Sequence, residues 1–319
     1  MPDSRFVSYA QHGEDVVLWR ALSQVTTGRY VEVGANDPKD LSITKAFYDR
    51  GWSGVTIDPV AEWAEAHRTV RPRDTFVQAA VTDEDIATIV LNEFPGTGLS
   101  TLDDRIAERH DAAGREHRST TVPAMSLDRI LRDAGAMDGP THFMIVDTEG
   151  YEGHVLASVD LTSWRPWVLV VESTTPLGTE PTHADWEPGV LASSYEFCLF
   201  DGLSRFYVAN EHAADLRTAL SYPVCPLDDY VRADTVEAQN RIAELTRARD
   251  TAMEGLVSWR TEALHRWENG TSSEAAAELE RLRRKAADLE AAVNALRGTL
   301  SWRVTAPLRL GRQLVRRGR

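Results

Sequence analysis

Three carboxylates follow two apolar runs in the middle of the chain. Asp147 ends the run HFMIVD, Glu149 follows two residues later, and Glu172 ends the run WVLVVE. If the two runs are neighbouring parallel strands, their ends meet at the carboxyl edge of one sheet, where ligands bind in such folds. Hard divalent cations prefer carboxylate oxygens, and a bound cation makes an alcohol easier to deprotonate. The pattern therefore predicts a site for Mg²⁺, with Mn²⁺ as a substitute, in which Asp147 and Glu149 are also catalytic.

Two alternatives remain open for this group of acids. Glu149 and Glu152 stand at the start of a helix predicted at 151–158, where negative charge is favourable without any catalytic role. A metal-free enzyme would instead remove the proton with Asp147 or with His183, because histidine ordinarily titrates near neutral pH. His183 lies in the predicted loop EPTHADWEP, where a histidine is more often simply solvated.

The stretch YVEVGANDP, residues 30–38, is typical of a buried strand that ends in a tight turn. A dinucleotide site needs several glycines there, because the backbone must approach a pyrophosphate closely, and this turn has only Gly34. The neighbouring acids Glu32 and Asp37 would repel a pyrophosphate but suit S-adenosylmethionine, which has no phosphate and carries a sulfonium cation. Asp58 ends the next strand and is placed to accept hydrogen bonds from ribose hydroxyls, or else merely caps the following helix.

The elements that would position these residues alternate between strand and helix. The strands are continuous apolar runs, as expected for parallel strands covered on both faces, so the pattern predicts a doubly wound α/β sheet. YEFCLF and SRFYVA, joined through Asp201-Gly202, predict a closing antiparallel hairpin, the ending of the Rossmann-like class I methyltransferase fold. Strands are predicted at 29–34, 54–58, 75–81, 142–147 and 167–172, with an extra antiparallel strand at 86–94. Helices are predicted at 13–25, 40–50, 60–70, 126–134, 151–158 and 183–193.

Composition excludes several classes of protein. The formal net charge of −14 argues against nucleic acid as a partner. The chain has no apolar run long enough to span a bilayer, and its start, MPDSRF, is not a signal peptide. The two cysteines, Cys198 and Cys225, are expected to be reduced thiols in the cytoplasm.

Five motifs give the chain a family resemblance. In order they are YAQHGEDVVL, YVEVGANDP, GWSGVTIDP, VPAMSLDRIL and FMIVDTEGYEGHVL, and the likeness as a whole covers residue 8 to about residue 232. Together they resemble the FkbM-type methyltransferases. The resemblance implies a Rossmann-like fold and S-adenosylmethionine-dependent O-methylation of sugar hydroxyls in polysaccharides, glycolipids or macrolides. Tyr151 stands where the family has a small residue, so we expect it to reshape the acceptor pocket.

The resemblance also places the segment before the first strand beside the cofactor and the acceptor, although Glu14 and Asp15 could merely favour the start of a helix. The loop 98–101 is a further candidate to cover the cofactor. The residues expected to bind the cofactor are Gln11, Glu14, Glu32, Gly34, Asn36, Asp58, Ala80 and Asp147.

After the methyltransferase domain, expected at 1–233, two heptad seams predict a pair of helices over 234–300, broken near 268–273. They could pair with another copy of the chain, or fold back on each other as a hairpin; we expect a homo-oligomer through 236–300. The tail 301–319 mixes apolar residues with six arginines. It is expected either to contact an anionic membrane surface or an acidic partner, or to be disordered.

The favoured function is therefore methylation of a sugar hydroxyl on a glycan, glycolipid or glycosylated protein, in the cytoplasm or peripherally at a membrane or glycan-assembly complex. One alternative is a non-catalytic oligomeric scaffold in such a complex. A second is a nicotinamide-dependent sugar oxidoreductase, which the missing glycines disfavour.

Overall fold

The computed structural model describes residues 5–268 and 274–299. The chain divides into two compact units, the first ending at Arg232 and the second beginning at Ala233. The predicted tail 301–319 and the predicted helix break lie outside the described residues, apart from Glu268.

The described residues form twelve strands and ten α-helices, numbered here in chain order. The strands are β1 Phe6–Ser8, β2 Arg29–Val33, β3 Ser53–Ile57, β4 Thr75–Val77, β5 Ala80–Val81, β6 Thr88–Glu93, β7 Arg118–Met125, β8 Phe143–Val146, β9 Val168–Glu172, β10 Tyr195–Phe200, β11 Ser204–Ala209 and β12 Tyr230–Arg232. The helices are α1 Glu14–Leu22, α2 Lys45–Asp49, α3 Ala61–Val70, α4 Asp104–Ala112, α5 Leu127–Asp133, α6 Glu152–Ala157, α7 Glu187–Ala192, α8 Ala213–Leu220, α9 Ala233–Glu268 and α10 Glu274–Gly298.

A seven-stranded sheet with the order β10-β11-β9-β8-β2-β3-β4 organises the first unit. The five strands from β9 to β4 are parallel, and β11 lies antiparallel between β9 and β10. This mostly parallel sheet with its antiparallel hairpin confirms the predicted fold class. The strand order reverses at β2, which has β3 on one side and β8 on the other, so a ligand crevice opens above its carboxyl end.

Two apolar cores cover the two faces of this sheet. One face packs on α5, α6 and α7 through residues such as Leu131 and Val155, which are fully buried. The other packs on α1, α2 and α8 through residues such as Leu18, Phe47 and Leu220. Burying one such side chain is worth about 1.5–3 kcal/mol, so these two layers fix the strand ends that carry the acids.

Some elements differ from the predictions. The expected strand 75–81 is two strands, because the chain leaves the main sheet after β4, and β5 joins a small sheet of order β5-β7-β6. The expected helix 40–50 is shorter, and the one at 183–193 is a 3₁₀ turn followed by α7. The helix α4, the strand β7, the helix α8 and the parallel pair β1–β12 were not predicted.

The second unit is an antiparallel hairpin of α9 on α10. The Arg266 guanidinium on α9 lies 3.2 Å from the Glu278 carboxylate on α10, and the Lys285 ammonium lies 3.5 Å from the centre of the Trp259 ring. Most of the predicted seam positions, including Leu256 and Leu289, are partly buried. The two seams therefore meet within one chain. Within the described ranges, none of the helices combines the length and apolarity needed to cross a membrane.

Candidate active site

A cavity opens above the carboxyl ends of β2, β3 and β8, and most of the predicted cofactor residues line it. Those that do are Gln11, Glu32, Gly34, Asn36, Asp58, Ala80 and Asp147. Glu14 is not among the lining residues; its carboxylate accepts a hydrogen bond of 2.9 Å from the His12 amide. Burial and the charge of Asp201 raise the pKa of Glu14 to about 8.

Gly34 is the residue that lets β2 and β8 approach each other at the edge of this cavity. Its φ of +85° is in the left-handed region, and a Cβ placed on it would lie 1.6 Å from the Asp147 carbonyl oxygen. No side chain fits there, so glycine is required both by conformation and by space. This contact sets the distance between the turn after β2 and Asp147.

Asp58 points into the same cavity with both carboxylate oxygens already held. Oδ2 accepts from the Asn36 amide at 2.9 Å, and Oδ1 accepts from the Val60 amide at 2.8 Å. Burial raises the pKa of Asp58 to about 6, although the two amide hydrogen bonds lower it. Each oxygen keeps one further lone pair for a ligand hydroxyl. The amide of Val60 precedes α3, so the Asp58 side chain also orders the start of that helix.

Asn36 adds an unsatisfied acceptor to the cavity wall. Its backbone is left-handed, with φ of 45°, and its Oδ1 is buried without a hydrogen-bond partner. A buried acceptor left unpaired is costly, so this amide is a natural partner for a bound ligand.

Glu32 is already compensated inside the protein. The Thr44 hydroxyl donates to its carboxylate at 2.5 Å, and a guanidinium nitrogen of the fully buried Arg71 lies 3.7 Å from it. Arg71 also donates to the hydroxyls of Ser42 and Tyr30, at 3.0 and 2.9 Å. Glu32 therefore secures β2 against its neighbours, and its charge is not free to face a cation in the cavity.

Asp147, Glu149 and Glu172 come together as the sequence predicts, with one carboxylate oxygen from each lying within 4.8 Å of the others. Oε2 of Glu149 and Oε2 of Glu172 are buried without partners. Burial, and after it the charge of Asp147, raises the pKa values of Glu149 and Glu172. These three carboxylates offer only oxygen ligands, and two of their oxygens have no hydrogen-bond partner, which fits Mg²⁺ or Mn²⁺.

The turn that carries Glu149 is held by Glu152. Glu149 and Gly150 both have positive φ, of 53° and 100°. Oε1 of the buried Glu152 accepts from the amides of Thr148 and Gly150 at 3.1 and 3.0 Å, and the Thr101 hydroxyl donates to the Glu149 carbonyl at 2.9 Å. Glu152 thus has the purely structural role that the sequence left open for both acids, while the Glu149 side chain remains available.

His183 lies apart from this group. It starts the 3₁₀ turn before α7 and is not among the residues that line the cavity. Its Nε2 lies 3.9 Å from the Glu187 carboxylate, which is also bonded by Arg205 and Tyr207, and its Nδ1 is buried without a partner.

Asp15 has a local structural role. Its carboxylate accepts hydrogen bonds from the Ser8 hydroxyl at 2.7 Å and the Tyr9 amide at 2.8 Å, which fixes β1 at the start of α1.

The cavity wall also contains residues that the sequence analysis did not assign to the cofactor, such as Asp40, Trp63 and Thr97. The sequence position of Trp63 could have predicted its place in the cavity wall, because it lies on the first turn of the helix that follows Asp58. Among the described residues that line the cavity there is no lysine or arginine, whereas five are acids: Glu32, Asp40, Asp58, Asp147 and Glu149.

The sheet order and the placement of this cavity define an α/β methyltransferase. The family model described as "Methyltransferase FkbM domain" matches residues 32–197, just over half of the chain. The chain therefore belongs to the FkbM methyltransferase family, which confirms the resemblance and makes it an enzyme of the methyltransferase class. A comparison with curated proteins finds no match.

Solved structures with a similar fold share little sequence with this chain. A TehB-like SAM-dependent methyltransferase from Corynebacterium glutamicum is 8% identical, with 62% of this chain and 88% of that chain covered and a TM-score of 0.35. The magnesium protoporphyrin IX methyltransferase of Synechocystis is 10% identical, covers 61% and 77%, and has a TM-score of 0.34. A 1,6-didemethyltoxoflavin-N1-methyltransferase from Burkholderia thailandensis is 10% identical, covers 62% and 77%, and has a TM-score of 0.31.

Proposed function

We propose that the protein transfers the methyl group of S-adenosylmethionine to a sugar hydroxyl of a glycan, glycolipid or glycosylated protein. The observation that carries the proposal is the charge of the cavity. Its described lining has four acids besides the compensated Glu32 and no lysine or arginine, beside a turn with one glycine, Gly34. A sulfonium cation is stabilised in such a cavity, whereas the pyrophosphate of a nicotinamide cofactor would be repelled.

In this proposal the cofactor lies along the turn after β2. Asp58 accepts from the ribose hydroxyls, because its carboxylate is fixed by two amides and has lone pairs left. The Oδ1 of Asn36 gains the donor that the protein does not supply. Asp147, whose carbonyl packs on Gly34, brings its carboxylate next to the sulfonium end.

Methyl transfer to an alcohol is an in-line displacement, so the acceptor oxygen must be aligned with the methyl group and relieved of its proton. Asp147, Glu149 and Glu172 would hold a divalent cation, which would polarise the acceptor hydroxyl and favour its ionised form. Without a cation, Asp147 would take the proton, because it lines the cavity, whereas His183 does not.

The reaction is tested by incubating the protein with S-adenosylmethionine carrying a labelled methyl group and with candidate glycans, followed by mass spectrometry. We expect a mass gain of one labelled methyl on a sugar. Label recovered on no acceptor, or binding of a nicotinamide cofactor in place of S-adenosylmethionine, would contradict the proposal.

The metal is tested separately by electron paramagnetic resonance of Mn²⁺ added to the protein. We expect bound Mn²⁺ in the wild type and none in Glu172→Gln, because the variant removes one anionic ligand. Chelation should abolish turnover but leave cofactor binding intact. Turnover that survives thorough EDTA treatment would exclude the metal and leave proton removal to a side chain.

We also propose a homo-oligomer assembled through 236–300 and an enzyme that works in the cytoplasm, either free or peripherally at a membrane or glycan-assembly complex. Support comes from apolar side chains that α9 leaves exposed outside its seam with α10, such as Val257 and Trp267, and from the arginine-rich sequence of 301–319.

A further inference from the structure

A second cleft, with a volume of about 1360 Å³, runs between α4, α6 and α7. Leu102 and Tyr151 line both this cleft and the cofactor cavity, so the two spaces meet at these side chains. The carboxylate cluster, which is Asp147, Glu149 and Glu172, lies at the same junction. Glu149 lines the cavity, and the next residues, Gly150 and Tyr151, line the cleft.

We propose that this cleft, hereafter the acceptor cleft, binds an uncharged oligosaccharide. The terminal sugar of that oligosaccharide would pass Tyr151 and reach the carboxylate cluster. The inference rests on the proposed function and adds to it where the acceptor lies, how long it is and what charge it carries.

An aromatic pair forms a platform in the acceptor cleft. The rings of Tyr151 and His154 stack with centroids 4.1 Å apart and planes inclined by 17°. His154 is held by the Asp83 carboxylate, 2.7 Å from its Nδ1, yet 47% of its side chain is exposed. A flat ring that is fixed in place and open to solvent suits the apolar face of a pyranose, and the rim acid Asp83 can accept from its hydroxyls.

The size of the acceptor cleft favours more than one sugar ring. It follows the whole of α6, which at 1.5 Å per residue is about 9 Å long, and continues to Leu161. Its volume of about 1360 Å³ exceeds the roughly 300–1,000 Å³ of ordinary small-molecule sites.

The charge of the acceptor cleft disfavours anionic sugars. Its two arginines are Arg105, which is paired with Asp103 at 2.9 Å, and Arg109. The acids in its lining are Asp83, Glu84, Asp103, Asp104, Glu152 and Asp185. A uronate or a phosphorylated sugar would enter against this field, while a neutral chain gains hydroxyl bonds to the exposed carboxylates of Asp83, Glu84 and Asp185.

The experiment measures saturation transfer by NMR from the full-length protein, in the presence of S-adenosylhomocysteine, to neutral disaccharides: cellobiose, maltose, mannobiose and N,N′-diacetylchitobiose. We expect transfer to the ring C–H protons of at least one of them. His154→Ala should weaken that binding about three- to tenfold, the worth of one aromatic contact. The matched control is His117→Ala, which also breaks a histidine–aspartate pair, 2.9 Å to Asp111, but lines neither space.

Three results would overturn the proposal: no transfer to any of the neutral disaccharides, equal weakening by His154→Ala and His117→Ala, or tighter binding of cellobiouronic acid than of cellobiose. Calorimetry with S-adenosylhomocysteine distinguishes failure of this proposal from failure of the proposed function. Both variants should bind S-adenosylhomocysteine as the wild type does. A wild type that does not bind S-adenosylhomocysteine would contradict the proposed function, and the sugar measurement would then decide on the acceptor cleft alone.

Discussion

Asp58 links the chemistry of a single carboxyl to a measurable pH dependence. Burial raises its pKa to about 6, so the group is ionised only above that pH. Because the ionised form is the better acceptor for ribose hydroxyls, affinity for S-adenosylhomocysteine should fall as the pH drops from 7.5 to 5. The loss should approach tenfold, about 1.4 kcal/mol, because at pH 5, one unit below this pKa, about a tenth of the Asp58 carboxyl is still ionised.

Calorimetry across this pH range on wild type and Asp58→Asn provides the measurement. The variant should bind more weakly at pH 7.5, and its affinity should change less with pH, because asparagine does not titrate. The other acids that titrate in this range are the same in both proteins, so the difference between the two profiles reports on Asp58. Parallel profiles would mean that Asp58 is not the group responsible.

A second residue prediction concerns Gly34. Gly34→Ala should abolish cofactor binding, because its Cβ would lie 1.6 Å from the Asp147 carbonyl oxygen and force β2 and β8 apart. Gly51→Ala is the matched control: its φ of +90° imposes a similar left-handed strain, about 1–2 kcal/mol, but no atom lies within 4 Å of the added Cβ. Urea unfolding and calorimetry compare the two, and equal cofactor affinity would refute the steric argument.

Residue types and spacing were enough to choose cofactor residues of which seven out of eight line the cavity, because strand ends and the turns after them have a local sequence signal. They could not show that Glu32 is neutralised. The partner Arg71 lies at the end of α3, and only the folded sheet brings its guanidinium to 3.7 Å from the Glu32 carboxylate. A conspicuous acid in a motif can thus stabilise a strand rather than bind a ligand.

Among the elements, the 148–150 turn depends on one side chain. Glu152→Ala would leave the amides of Thr148 and Gly150 without their acceptor, which should lower the free energy of unfolding by about 1–3 kcal/mol. Glu152→Gln keeps the accepting oxygen and should lose much less. Urea denaturation measures both, and an alanine variant as stable as the glutamine variant would show that the turn holds without this acceptor.

The elements that the sequence did not predict depend on contacts between distant parts of the chain and have only a weak local sequence signal. The helix α4 is mostly polar and buries only Ile106, Ala107 and His110, so the sequence offers few apolar residues by which to recognise it. β1 and β12 have three residues each and gain their identity only by pairing across the whole first unit. The strand predicted at 75–81 was a single apolar run, and nothing local shows that its two halves join different sheets.

For the whole molecule, the hairpin of α9 and α10 leaves a second apolar stripe uncovered. Met253, Val257, Leu264 and Trp267 follow heptad spacing on α9, outside the seam with α10, and are exposed by 45, 59, 49 and 75%. An exposed apolar row of this kind is characteristic of an interaction site. We expect a second copy to cover it, so that two hairpins form a four-helix bundle.

Light scattering on the full-length chain should then report a dimer or larger assembly. The double variant Val257→Glu, Trp267→Glu should shift it to the monomer mass, because two charges would be buried unpaired at the interface. Ser258→Glu adds a charge at an exposed position of α9 on a different face from the stripe and should leave the mass unchanged. A chain truncated after residue 233 should also be smaller in assembly than the full-length protein. If the wild type is already a monomer, or if the double variant has the same mass as the wild type, α9 and α10 pack only on each other and the oligomer proposal is wrong.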